Sequence, residues 1–430
     1  MPVIGKPEHL FFDLFPRVVR AGSKTAITIR PRHDHCRFQA GLVYPVSVTP
    51  AEGLRDGSRT APAFSISPGE GSLAFEAAFP EEQEYVVLVG DPADGGKPFL
   101  EFRLYALRED LFRLRPYKGD FHLHSTRSDG REGPAYVAAA GRKIGMDFLA
   151  ITDHRLYAPS LEAIRALEGL PTDFRMYPGE EVHAPDNPVH IVNFGARRGI
   201  TELFTTEEYA EGVRALQKTL PKVPEALRGA AAASIWCFRR IREEGGLAVF
   251  CHPYWFYHGR YDVPTELTAL LMEMAPFDAL ELIGGYHLNE VESNALQVLF
   301  YNEERARGRR IPIVGASDSH GCERNTLFGW YYTIVFSPSP ALPDVLEAVK
   351  DLRSVAVEAL PSQLPRAHGP MRLAQFSQFL LRAVFPDHDA ICGVEGQIML
   401  EALEGDPQAA QRLSGLRSRP ADFLKRVYGS

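Results

Sequence analysis

Histidines and carboxylates at the ends of short apolar runs are the residues of this chain best suited to chemistry. The stretch GDFHLHSTRSDG, residues 119–130, holds His122 and His124 one residue apart and Asp129 in a loop closed by Gly130. Further along stand Asp153 and His154 in AITDH, Glu180, Glu181 and His183 in PGEEVH, His190 in VHIVNFG, His252 in FCHP, and Asp318 and His320 in ASDSH. Side chains on a strand repeat with period two, so His122 and His124 share a face, as do Asp318 and His320, and each pair can chelate one centre. Imidazole and carboxylate are the donors that Zn, Mn and Fe accept. A bare His-x-His is weak evidence: 14 His in 430 residues give about 0.5 such pairs by chance, and His33 and His35 form a second copy in RHDHC. Five strand ends carrying His or acid in one fold are a much stronger signal. The β-rich region around His33 and His35 shows no such second cluster, which argues against metal there. The five cysteines (Cys36, Cys237, Cys251, Cys322, Cys392) contain no C-x-x-C pair, so neither a thiolate cluster nor a disulfide framework is indicated. Cys251 adjoins His252, but strand alternation points it to the opposite face.

For those side chains to meet, their strands must end together. Residues 1–115 read as short strands separated by Gly, Pro and Asp turns, the pattern of a small antiparallel β-sandwich. Over residues 116–360 apolar strands alternate with helical stretches, which predicts parallel strands joined by crossover helices in a closed or nearly closed α/β barrel. FRMYPGEEVHA reads as a single strand there. In such barrels the C-terminal strand ends converge on one rim, where active sites are built. Residues 361–430 read as a helical C-terminal extension broken by prolines.

The composition, 45% hydrophobic and 24% charged, is that of a soluble globular protein with a sizeable core. A formal charge of −8 argues against long nucleic acid as a partner and leaves a short phosphorylated substrate open. The first residues lack a signal-peptide pattern, and no run approaches about 18 apolar residues. Cytoplasmic residence without membrane insertion is therefore expected, and the oligomeric state is left open.

In order and type, DFHLHSTRSDG, AITDH, PGEEV, VHIVNFG, FCHP and ASDSH resemble the motifs of the polymerase and histidinol phosphatase (PHP) superfamily of metal-dependent phosphoesterases. The likeness covers residues 119 to about 320 and is silent on both flanks. It implies a distorted (β/α)7 barrel and two to three divalent metal ions. Carried over by motif, it assigns His122, His124, Glu181 and Asp318 to a first metal. Glu181, His190 and His252 would hold a second, with Glu181 bridging, and Asp129, His154 and His320 a third. Of the two adjacent acids, Glu181 stands where the family's glutamate usually does. The β-rich region ahead of the barrel resembles the subgroup related to carbaryl hydrolase.

The expected activity is hydrolysis of a small phosphorylated metabolite or nucleotide by a hydroxide held on the metals, without a nucleophilic side chain; neither a G-x-S-x-G elbow nor a phosphate-binding G-x-x-x-x-G-K-[ST] loop occurs. Two alternatives stand beside it: carboxylic or carbamate ester hydrolysis by the same centre, or a non-catalytic binding protein. Arg127, Arg155 and Arg324 lie near the motif residues, where a guanidinium fork would match phosphate oxygens. His258 and His287 follow strand ends and are candidates to protonate a leaving group. The aromatic stretches PYWFY and GWYY offer either core packing or a platform for a ring.

Overall fold

The computed structural model describes residues 8–52, 63–257, 259–285, 290–323 and 328–429. These form two compact units. One is built from residues up to Arg115 together with Phe376–His388 and the segment from Ser418 onward; the other comprises Pro116–Gln375 and Asp389–Arg417.

The first unit contains two sheets. Strands Phe12–Phe15, Ser23–Pro31 and Leu73–Phe79 pair antiparallel in one. The other runs in the order Val18–Arg20, Pro98–Leu107, Gln83–Gly90, Tyr44–Pro50, Ala63–Ile66. In Leu73–Phe79, every second residue is buried (Leu73, Phe75, Ala77, Phe79), the signature of a strand with one face on a core. Those residues join Ile27, Ile29, Val46, Val87 and Phe102 in one apolar cluster shared by both sheets. His33 and His35 flank its surface with their rings stacked, centroids 5.5 Å apart.

The second unit is mixed α/β. A six-stranded sheet has the order Arg175–Tyr177, Phe148–Ala150, Arg115–Asp120, Tyr331–Ser337, Ser354–Glu358, Arg366–His368. A five-stranded sheet has the order Gly179–His183, His190–Phe194, Leu247–Phe250, Ala279–Ile283, Ile313–Gly315. Just past the strand ends, the isolated pairings His154 with Glu181 and Leu123 with Ser319 connect the two sheets. An apolar cluster including Phe121, Phe148, Phe194, Val249, Val314 and Val335 draws on both sheets. A larger one packs the helix Glu225–Glu243, through Ile235, Phe238 and Ile241, onto Phe250 and Leu280.

Three expectations need correction. The strands are not uniformly parallel: Gly179–His183 pairs antiparallel with His190–Phe194, that strand antiparallel with Leu247–Phe250, and Tyr331–Ser337 antiparallel with Ser354–Glu358. The reason in the first case is the short link APDNPV, which cannot make the crossover of a dozen or so residues that a parallel pair requires. The expected single strand FRMYPGEEVHA is two, broken at Pro178, and its halves belong to different sheets. The residues beyond 360 are also not helical throughout, since Arg366–His368 forms an edge strand; nor do they form one block, since their segments are divided between the two units.

Residues 389–417 contribute polar contacts to the α/β unit that no local pattern announces. Lys118, 3% exposed on a central strand, places its ammonium 2.8 Å from Asp389. Arg142, 1% exposed on the helix Pro134–Lys143, reaches Glu395 at 2.7 and 2.8 Å and Asp147 at 3.1 Å. Buried cations demand such partners, and removing one leaves an uncompensated charge. Glu395→Ala should therefore lower stability by about 3 kcal/mol, read as a shift of the urea unfolding midpoint; an unchanged midpoint would show that Asp147 alone satisfies the guanidinium.

Candidate metal centre

The site lies where the two sheets meet. Strand Gly179–His183 is buried on both faces, and its alternation separates the adjacent acids. Glu180 turns one way and accepts hydrogen bonds from Asn193 Nδ2 at 3.1 Å and from the Ile200 backbone. Glu181 turns the other way into a cluster of imidazoles and is fully buried. Its Oε2 lies 3.4 Å from His122 Nε2, 3.5 Å from His124 Nε2 and 3.3 Å from His183 Nε2, and it also contacts His154 Nδ1. Its Oε1 lies 3.0 Å from His190 Nδ1 and 3.5 Å from His252 Nε2. Asp318 Oδ1 completes the inner group at 2.8 Å from His124 and 3.3 Å from His122. Toward solvent, Asp129 Oδ1 is 3.3 Å from His320 Nε2, and its Oδ2 is 3.4 Å from His154 Nε2.

Two observations say that this donor set fits cations. Glu181 Oε1 and Oε2, His190 Nδ1 and His252 Nε2 are all buried without a hydrogen-bond partner, although they point at one another. Ligand atoms about 2.0–2.2 Å from a tetrahedral cation stand roughly 3.3–3.6 Å apart, and His122 with Glu181 and Asp318, His124 with Glu181, and His252 with Glu181 stand 3.3–3.5 Å apart here. Within this cluster the donor atoms of His122, His124 and Glu181, of His122, His252 and Asp318, and of His124, Asp129, His154 and His320 each lie within 4.8 Å of one another. A cavity of about 50 Å³ between them is lined by Asp129, His154, Glu181, His190, His252, Trp255, Asp318 and His320.

Backbone geometry shapes the rim. Asp318 (φ 49°) and Arg155 (φ 59°) occupy the left-handed region, unusual for residues with a side chain and found where surroundings impose it. Asp318 N donates to His122 O at 2.9 Å, and Arg155 N to Glu181 O at 2.8 Å, so each turn is tied to a strand bearing a cluster residue. The loop carrying Asp129 is held by Asp153, whose carboxylate accepts from Ser125 N, Ser125 Oγ and Ser128 Oγ at 2.6–2.8 Å. Gly130 closes that loop, because a Cβ there would fall 2.7 Å from the His124 carbonyl carbon.

Three residues escaped the sequence reading of the ligands. His183 was visible as the residue two along from Glu181, on the same face; its ring stacks on His190 with centroids 3.7 Å apart. Glu281, in the strand ALELI, is fully buried and places Oε2 2.9 Å from His122 Nδ1. That contact fixes the ring so that Nε2 faces the centre, the usual role of a carboxylate behind a ligating histidine. Asp120, 2% exposed, accepts from the backbone N–H groups of His122 and Ser317 and so ties two rim strands together; burial pushes its pKa up to about 7. No local motif marks Glu281, and although Asp120 opens the stretch DFHLHSTRSDG, nothing local gives its role.

Among the expected substrate contacts, Arg127 is committed elsewhere: its fork holds Glu162 at 2.7 and 2.8 Å on the surface. The side chain of Arg155 is exposed beside the rim. Arg324, His258 and His287 lie outside the described residues.

The metal-free electrostatics are distinctive. Burial disfavours charge on the histidines, yet Asp318, Glu181 and Glu281 outweigh it and hold His122 well above its ordinary pKa. Against the same burial, Glu181 and Asp129 raise His154 to about 10, and Glu181, Glu281 and Asp318 raise His252 to about 9. Burial prevails at His124 and His190, both lowered to about 4. Burial would raise Glu181 and Asp318 as well, but neighbouring histidines hold both carboxyls below their ordinary range.

No family model matches the chain. A stretch of 128 residues, 28% of the chain, is 30% identical to DNA polymerase/3′-5′ exonuclease PolX of Bacillus subtilis (strain 168). The match spans 20% of that polymerase. Among solved structures, a two-domain protein from Bacteroides vulgatus containing a predicted PHP-like metal-dependent phosphoesterase aligns over 62% of this chain and 71% of its own, with 18% identity and a TM-score of 0.43. An amidohydrolase from Chromobacterium violaceum, with bound sulfate and no metal, aligns over 48% of this chain and 89% of its own, with 20% identity and a TM-score of 0.31.

Cations must displace the protons on His122, His154 and His252. Because those pKa values are raised, metal binding at pH 7 should release protons and tighten as pH rises. Calorimetric heats that vary with buffer ionisation enthalpy would register this; heats independent of buffer would contradict it. Glu281→Gln should weaken metal affinity about 10- to 100-fold while leaving the circular dichroism of the metal-free protein unchanged. Full affinity in that variant would remove Glu281 from any role behind His122.

Proposed function

We propose that the protein is a metal-dependent hydrolase of PHP type acting on a small phosphorylated substrate. The observation that carries this reading is the set of buried, unpartnered donor atoms on Glu181, His190 and His252 at spacings suited to cations. In it, His122, His124, Glu181 and Asp318 hold one divalent ion, Glu181, His190 and His252 a second, and Asp129, His154 and His320 a third, Zn, Mn or Fe being compatible with the donors. Bound there, such ions would polarise an ester oxygen and lower the pKa of water from 15.7 to about 7.

The chain's own residues supply the rest. Glu181 and Asp318 present fixed negative charge that would hold the ions together, and Glu281 and Asp120 hold the ligating strand ends in place. Three dications against the three ligating carboxylates, Asp129, Glu181 and Asp318, would leave a net charge of about +3, which favours a phosphate dianion over a neutral ester. With Arg127 paired to Glu162, Arg155, exposed beside the rim, is the one of the three expected arginines placed to meet a phosphate oxygen among the described residues. The formal charge of −8 argues against long nucleic acid as a partner, and among the described residues no helix is long and apolar enough to cross a membrane.

A panel of phosphomonoesters, phosphodiesters, carboxylic esters and carbamates tests the reading: turnover should be confined to the phosphoesters and vanish on chelation, and equal turnover after verified metal loss would end it. Metal stoichiometry tests the ligand sets. Asp129→Asn, at the 55% exposed outer position, should lose one ion. Glu181→Gln should lose at least two, because its two carboxylate oxygens face different imidazoles, Oε2 those of His122, His124, His154 and His183 and Oε1 those of His190 and His252. Equal losses in the two variants would collapse the bridging assignment.

A further inference from the structure

The cavity among the ligands has a volume of only about 50 Å³. Pockets that enclose organic ligands run to about 300 Å³ or more, so an organic leaving group would have to sit outside it, against whatever walls its mouth. Of the eight residues that line the cavity, seven are ionisable; the eighth is Trp255. Its indole stands edge-on to His252, centroids 5.6 Å apart, and tilted against His190 at 5.9 Å.

Trp255 is held from three sides. Its backbone N–H donates to His252 O at 2.9 Å, and its carbonyl accepts from Asp262 N at 2.9 Å. Its side chain hydrogen-bonds to Glu290, a 2% exposed carboxyl at the start of the helix Glu290–Ala306. The polar demand of the indole is thus met inside the protein, and its ring position is fixed before any ligand arrives. From Trp255 the chain runs into a two-stranded arm, Phe256 opposite Tyr261 and Tyr257 opposite Arg260. There Phe256 and Tyr261 pack edge to face at 5.5 Å yet remain 45% and 36% exposed. Aromatic surface thus continues from the metal cavity onto an arm that buries little of it. Asp262, whose backbone N–H bonds the Trp255 carbonyl, and Glu290, bonded to the Trp255 side chain, are both acidic residues, so neither offers a cation to an anionic group there.

We infer that the aromatic face formed by Trp255, Phe256 and Tyr261 is a leaving-group subsite for a planar, uncharged aromatic ring, stacked against Trp255 and Phe256 while the ester's anionic group enters the metal cavity. The inference rests on the reading of the cluster as an ester-hydrolysing metal centre. It restricts the substrate to esters of an aryl or heteroaryl alcohol or of a nucleoside, and disfavours polyol and sugar phosphates. One aromatic contact of this kind is worth about tenfold in affinity.

The full-length protein loaded with Mn is titrated calorimetrically with phenylphosphonate and with methylphosphonate, which share the anionic group and differ in the ring. Phenylphosphonate should bind at least about tenfold tighter and quench tryptophan fluorescence. Trp255→Leu should abolish that margin while metal content and the methylphosphonate affinity stay unchanged, and Trp255→Phe, which keeps a ring without the indole N–H, should retain most of it. Equal affinities in the wild type, or a margin that survives in Trp255→Leu, would overturn the subsite. If Trp255→Leu does not fold, Phe256→Ala must narrow the margin, and an unchanged margin there overturns it equally. If neither phosphonate binds, the phosphoester reading is at fault, and benzoate against acetate decides the subsite: tighter benzoate supports it, and equal or absent binding overturns it. Adenosine and nitrophenyl phosphates, compared as substrates of the wild type, then separate a nucleoside from a simple aryl source of the ring.

Discussion

The rest of the α/β unit depends on one buried carboxylate. Both oxygens of Glu181 are inaccessible and unpartnered by hydrogen bonds, and His122, His124, His154, His183, His190 and His252 stand around them. An uncompensated anion at such depth costs several kcal/mol. The chain meets that demand with imidazoles from several separate strand ends, and the strands must end together for this to happen. The pairing of His154 with Glu181 across the sheet margin is the structural expression of this requirement. The same demand raises the pKa of His122, His154 and His252 above the ordinary histidine value. Cations and protons therefore compete for one electrostatic role, and the fold is built around whichever fills it.

Behind the inner donors stand three further carboxyl groups. Asp120 joins the His122 and Ser317 backbones, Asp153 gathers the loop of residues 125–130, and Glu281 orients His122. Each converts a flexible strand end into a fixed one, which a multi-ligand site requires, since a ligand displaced by an ångström loses most of its contribution. The left-handed turns at Asp318 and Arg155 belong to the same arrangement, because a relaxed backbone there would break the bonds to His122 O and Glu181 O.

The inner site is rigid and polar, whereas the adjoining arm is aromatic and half exposed. Trp255 belongs to both, through His252 on one side and Phe256 on the other. This division suits a reaction in which the charged portion of a substrate is recognised by fixed charges and the remainder by area and planarity. The first needs depth and dehydration, the second only a preorganised face.

Much of this was legible in the residues themselves. Period-two alternation placed His122 with His124 and set Glu180 apart from Glu181, because the pleat of a strand is a local property. The β-strands of the first unit were readable from alternation and turn residues for the same reason. The six-residue link APDNPV was also sufficient to exclude a parallel crossover, although the general α/β pattern pointed the other way. What the local pattern did not contain was pairing across distance. Glu281 against His122, Arg127 turned to Glu162, Asp389 and Glu395 answering Lys118 and Arg142, and Trp255 brought to the cavity wall all join residues far apart in the chain. A side chain's type and its face on a strand follow from neighbours two or four positions away. Which buried charge it meets follows from how whole sheets and helices close on one another, and that closure is decided by the shared apolar core and by the requirement that no charge within it be left alone.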